Sequence, residues 1–260
     1  MSALGPPRVG LSACLRGEPV RWDGDHRRHD FLVASLGPHL EWVALCPEAE
    51  IGLGVPREPI QLVRTESGPR LYSVRSHHDL TERMRDWATA RLAGLGDLDG
   101  FVLKHRSPSC GITGARVSPS LEELREDGPC ERGGRGVFAE VLLRERPEIA
   151  VAEEPDLESR DGRQRFVERV FAARRLRARL ARGAEPADLV RFVDGHAARV
   201  LARAGGPEAL AELAGLARRG DGSRLRIAFA AALARPPAAG AGDPTADPRD
   251  PAERAALAVC

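Results

Sequence analysis

The sequence predicts an α/β fold built on a mostly parallel sheet, and three observations predict it. Short apolar runs recur along the first 158 residues, segments of helical period separate them, and Pro or Gly closes most of them. Strands that alternate with helices pack as a parallel sheet covered by those helices. In order, VGLSACL after Pro7 is a buried strand with Cys14 near its carboxyl end. Residues 28–36 form a short helix that Pro38 ends, and EWVALCPE is a second strand, closed by Pro47, with Cys46 at its end. PIQLV and RLYSV, separated by ESGP, read as a hairpin or flap. DLTERMRDWATARLAGL sets Leu, Met, Trp and Ala at helical spacing, with Asp79 as its N-cap. DGFVLKHRSPSCG is a third strand running into a loop that holds Cys110. Residues 136–146 form a helix, EIAVAEE a fourth strand ending at Pro155, and 162–182 a long helix.

Composition excludes several functions. The formal net charge of +1 rules out a globally basic nucleic-acid binder, although a neutral sum can hide a basic face. No apolar run approaches the ~18 residues of a membrane helix, and MSALGPPRVG lacks the basic start and apolar core of a signal peptide, so the expectation is a soluble, cytoplasmic chain. The five cysteines are an odd number, widely spaced and without a CxxC pair, in a chain too long to need disulfide staples. They are expected to be thiols, metal ligands or nucleophiles.

In a parallel sheet, ligands sit outside the carboxyl ends of the strands. Cys14, Cys46 and Cys110 each follow an apolar strand at such a position, so three thiols can meet in space. Thiolates select iron–sulfur clusters, zinc or copper(I) over hard cations; a structural zinc wants a fourth ligand, and buried structural cysteines fit the same pattern. Glu48, two residues after Cys46, is a candidate general base or a solvated surface carboxylate. Gly52 and Gly54 allow close backbone approach and Arg57 offers a planar donor fork. Around Cys14 stand Arg16, Glu18, Arg21, Trp22, Asp23 and Gly24. Ser107 and Ser109 either donate to a substrate heteroatom or cap a turn. Lys104 is the only lysine of the chain and could pair with a substrate phosphate or carbonyl. Cys130 lies outside the three-cysteine pattern, and the adjacent GGRG is a weak candidate for a phosphate-binding turn.

SACLRGEPVRWDG, LCPEAEIGLGVPREPIQLV and KHRSPSCG, in this order and spacing, resemble the bacterial thiouracil desulfidase family over roughly residues 8–150. The resemblance implies a Rossmann-like three-layer domain holding a [4Fe-4S] cluster on three cysteines matching Cys14, Cys46 and Cys110, with one iron left open. It further implies that this iron takes the thiocarbonyl sulfur of a thiolated pyrimidine, and that water replaces sulfur at carbon, releasing sulfide in a net hydrolysis. Glu48 matches the acidic residue that activates the water, and Ser107 and Ser109 match the SPSC serines, one of which is the catalytic hydroxyl.

Segment 163–182 holds eight arginines and one glutamate beside an apolar stripe, which fits either a phosphate-backbone surface or an ordinary solvated face. RFVERVFAARRLRARL with the following PADLVRFVDGHAARVLARAGGPEALAELAGLA resembles the start of a YbgA-like helical domain, shortened here. That pairing implies a tRNA-modification enzyme that converts 4-thiouridine in tRNA to uridine, with RNA contact through the 163–182 helix. The alternatives are a desulfidase of free thiouracil or thiouridine, and a non-catalytic, metal-stabilised RNA-binding module. The expected organisation is a desulfidase domain at 1–158, a small all-α region at 159–235, and a disordered tail at 236–260, where Ala, Pro, Gly and Asp leave little to bury.

Overall fold

The computed structural model describes residues 5–238 and 251–260. Its strands are β1 (Arg8–Ser12), β2 (Glu41–Leu45), β3 (Ile60–Val63), β4 (Arg70–Ser73), β5 (Gly100–Leu103), β6 (Ala115–Ser118), β7 (Glu131–Gly134) and β8 (Ala150–Glu153). The main sheet has the order β2-β1-β5-β8 and every pairing in it is parallel. These are the four apolar runs read from the sequence.

Alternation along the strands divides the core. Val9, Leu11 and Val102 point to one face, where they meet Phe31 and Leu32 of a short π-helix (Phe31–Leu36) and Phe166, Val170 and Phe171 of a long helix. Phe101 and Leu103 point to the other face, towards Met84, Phe138 and Leu142. Gly10 is required here: a Cβ on it would lie 2.2 Å from the Phe101 ring. The helices are α1 (Ala13–Arg16), α2 (Pro47–Glu50), α3 (Thr81–Gly94), α4 (Val137–Glu145) and α5 (Arg160–Ala181). α3 and α4 cover one face, and the π-helix with α5 covers the other, which gives the expected three layers. The N-cap of α3 is Leu80 rather than the expected Asp79, which stands one residue earlier and accepts the Thr81 N–H at 2.9 Å.

The predicted hairpin is β3 and β4, antiparallel in register Ile60↔Ser73 to Val63↔Arg70. It belongs to a second sheet of order β4-β3-β6-β7, which the sequence does not announce. Its other strands, ARVS and ERGG, are short and charged, with no apolar run to signal them.

Beyond the sheets, α6 (Pro186–Asp194), α7 (Ala197–Leu201), α8 (Gly206–Arg218) and α9 (Gly222–Ala234) enclose a separate apolar cluster with Leu189, Phe192, Leu213, Leu225 and Phe229. α5 serves both cores: Phe166 to Phe171 pack on the sheet, while Ala172 and Leu176 enter the helical cluster. Most of its arginines consequently engage the fold itself. Arg163 stacks over Phe31, Arg169 donates to the Val151 carbonyl, Arg174 is buried, Arg177 holds Asp99, and Arg179 lies over Phe192. The phosphate-facing reading of 163–182 thus loses most of its guanidiniums, because the helix is a seam between two cores.

The expected disordered tail is also corrected in part. Residues 239–250 lie outside the described residues, but α10 (Pro251–Ala258) is a helix. AERAALA is rich in the strongest helix former, its small side chains pack closely on the π-helix layer through Ala256, and Glu253 pairs with Arg175.

His196 sits in the helical core, its Nδ1 2.7 Å from the Phe192 carbonyl and its ring against Phe192 and Phe229. Burial pulls its pKa down to about 3, and Arg175 and Arg199 push in the same direction. Below the ordinary value of about 6.5 the unfolded chain takes up a proton that the folded chain refuses, so stability falls as pH drops towards 3. Urea midpoints will therefore decline between about pH 7 and 5 in the parent protein, and His196→Phe will flatten that decline.

Candidate active site

Three segments far apart in sequence deliver the cysteines to one place. α1 follows β1 directly and carries Cys14; Cys46 immediately follows β2; Cys110 lies seven residues beyond β5. Because these strands are adjacent and parallel, their carboxyl ends open on the same side of the sheet. A cavity of about 100 Å³ forms there, lined by Cys14, Cys46 and Cys110 together with Trp22, Glu48, Arg57, Lys104 and Ser107.

As free thiols the three are strongly desolvated. Burial pushes Cys14 up to about 12, the neighbouring Cys46 adds to the rise, and Lys104 and Arg21 oppose it. Cys46 is raised chiefly by burial, with Glu48 adding to the rise and Arg57 opposing it. Burial likewise lifts Cys110 well above the ordinary thiol value, against a hydrogen bond from Ser12. The cations that oppose these shifts are ones that would stabilise thiolates at the cavity.

The SPSC serines separate into two roles. The Ser107 oxygen accepts the backbone N–H groups of Ser109 at 3.2 Å and Cys110 at 3.0 Å, so its own proton is left to donate towards the cavity it lines. Ser109 is 0% exposed and donates its hydroxyl to Glu48 Oε1 at 3.0 Å. Glu48 Oε2 receives two N–H groups of Arg57, one of them Nε at 3.1 Å; Arg57, with a side chain 4% exposed, also donates to the Gly54 carbonyl. Glu48 is therefore no solvated surface carboxylate. It is fixed at the cavity wall by one hydroxyl and one guanidinium, and each oxygen retains acceptor capacity.

Sequence reasoning missed what holds the KHRSPSCG loop. Glu153, at the end of β8, accepts the Ile112 N–H at 2.7 Å, the Thr113 hydroxyl at 3.1 Å and the His105 ring at 2.9 Å. Glu154 accepts the His105 N–H at 2.6 Å and pairs with Lys104. Two adjacent acids at a strand end gave a signal, but EIAVAEE read only as a strand. The ammonium of Lys104 also donates to the His105 carbonyl, so the lone lysine joins the loop to the next strand.

The start of α4 completes the cradle. Gly136, Val137 and Ala139 donate their N–H groups to the carbonyls of Gly111, Pro108 and Ser109 at 2.7, 3.1 and 3.1 Å. A Cβ on Gly136 would lie 2.4 Å from the Ser109 carbonyl, so only glycine fits. Gly136→Ala should cost ~1–3 kcal/mol, visible as a lowered melting temperature, and displace the loop bearing Ser109 and Cys110. The weak candidate for a phosphate-binding turn at GGRG lies partly in a strand: Glu131–Gly134 is β7, and Gly134 packs on Leu62 and Val117. Cys130 is elsewhere, its sulfur 3.1 Å from Arg116 Nε.

Among the described residues no three His, Cys, Asp or Glu side chains stand at the spacing of a single metal ion. Thiolates that each hold a different iron of a cluster need not converge on one point, as the ligands of a single zinc must. Three soft donors on one wall, without a competing His, fit a cluster.

Residues 9–154 match the family model described as 2-thiouracil desulfurase. A solved structure titled [4Fe-4S]-dependent thiouracil desulfidase TudS is 30% identical, covering 58% of this chain and 93% of that one, with a TM-score of 0.45. No curated protein matches the chain.

Proposed function

Starting from the fact that the chain belongs to the 2-thiouracil desulfurase family, we propose that it removes sulfur from a thiolated uracil moiety in a [4Fe-4S]-dependent hydrolysis. The observation that carries the reading is the convergence of Cys14, Cys46 and Cys110 with Glu48 and Ser107 on one cavity. The three cysteines would hold the cluster. When bound, it supplies a soft Lewis acid with affinity for a thiocarbonyl sulfur.

The chain's own residues do the rest. Glu48 takes a proton from the attacking water, oriented by Arg57 and by the Ser109 hydroxyl. Ser107 offers its free O–H to a heteroatom of the ring. Water supplies the new carbonyl oxygen and the sulfur leaves as sulfide, so no external electron donor is needed.

A small thiolated pyrimidine suits the site better than 4-thiouridine in tRNA, since several α5 guanidiniums that would grip a phosphate backbone are already engaged with the protein itself, Arg169 with the Val151 carbonyl and Arg177 with Asp99. Anaerobic reconstitution followed by incubation with 2-thiouracil, 4-thiouridine and thiolated tRNA tests the proposal. Loss of thiocarbonyl absorbance with sulfide release is expected for the small substrates. No loss with any of the three overturns the enzyme reading, and about one zinc per chain without iron would point to a metal-stabilised binding module. Turnover of tRNA alone, with strongly salt-sensitive binding, would restore the tRNA reading.

A further inference from the structure

One aromatic side chain at the cavity has no role in the reaction above. Trp22 lines the cavity yet is 41% exposed, one of the few large apolar side chains left open among the described residues. Its ring makes none of the ring–ring or cation–ring contacts found there, in contrast to Trp87, which packs on Phe138.

The loop that presents it is tightly closed. Arg21 N–H donates to the Asp25 carbonyl at 3.2 Å, Gly24 N–H to the Arg21 carbonyl at 3.0 Å, and the Arg21 guanidinium pairs with Asp23. Gly24, at φ 76°, makes the turn that lets the chain double back. The Trp22 carbonyl accepts the Arg57 N–H at 2.9 Å, so the backbone that carries the indole is fastened to the same residue that orients Glu48. Exposing an indole on a loop held by these bonds, at the rim of a site, costs solvation that a planar ligand would recover.

We propose that Trp22 is the stacking platform for the pyrimidine ring, and so fixes the ring plane relative to Glu48 and Ser107. The identity of the ligand rests on the desulfidase reading; the platform itself can be tested without turnover. Stacking on an aromatic face is tolerant of the base and is lost with the π-face rather than with apolar area alone. That makes Trp22→Leu more informative than Trp22→Ala.

In cluster-loaded protein, Trp22→Leu is expected to raise KM for 2-thiouracil roughly ten- to hundredfold while Trp22→Phe stays within about threefold of the parent. Cluster absorbance should be unchanged in both, which excludes misfolding as the cause. Separately, uracil, which carries no sulfur and is not turned over, should quench indole fluorescence in the parent and not in Trp22→Phe, where Trp42 and Trp87 remain. If no variant or parent desulfurates anything, quenching by uracil still decides the platform. A Trp22→Leu enzyme with parental KM, or uracil quenching that is absent from the parent or survives in Trp22→Phe, overturns the proposal.

Discussion

Replacing any one of Cys14, Cys46 or Cys110 with alanine is expected to leave the protein colourless after anaerobic reconstitution, while Cys130→Ala should keep the full chromophore. The contrast follows from position. The first three line one cavity at the ends of adjacent parallel strands, whereas Cys130 bonds Arg116 in the second sheet. Iron and sulfide analysis, with the visible spectrum, reads the outcome directly. Colour lost in Cys130→Ala, or kept in full by any one of the other three, would break the ligand assignment. Melting temperature adds a second readout: iron and sulfide should stabilise the parent and not the three variants, since only a site that binds the native state shifts folding.

Much of this arrangement was legible because the relevant residues lie on strongly patterned elements. VGLSACL, EWVALCPE and FVL are apolar enough to read as neighbouring parallel strands, and parallel strands bring their carboxyl ends together, so the thiol cavity follows from topology. Arg57 was visible as a donor fork, but its partner was not, since a segment of eight residues with positive φ at Gly52 and Gly54 returns it to Glu48. The choice between Ser107 and Ser109 was illegible for a related reason. Both hydroxyls sit in one loop, and only three-dimensional neighbours decide that one caps backbone N–H groups and the other binds a carboxylate. α5 misled in the opposite way: its arginine count was real, but burial against two cores, which composition does not record, directs those side chains inward. α10 escaped notice because the tail around it is poor in large apolar residues, although alanines suffice where the opposing surface is already apolar.

Glu48→Gln will lower kcat by about 10²–10⁴-fold with little change in KM and an unchanged cluster spectrum, because the amide keeps the shape and loses the base. A comparable fall in kcat is not expected from Ser109→Ala. Ser109 is fully buried and its hydroxyl reaches only Glu48, so its loss frees Oε1 without removing the carboxylate, and a drop of about tenfold fits one orienting hydrogen bond between neutral and charged partners. The decisive measurement is the double variant. If Ser109 acts through Glu48, then Glu48→Gln with Ser109→Ala will be no slower than Glu48→Gln alone, since a positioning group has nothing left to position. If the two losses multiply instead, Ser109 contributes to the reaction by a route of its own. Ser107 would then have to share the role of substrate donor, and the division of labour drawn from the two hydroxyls would fail.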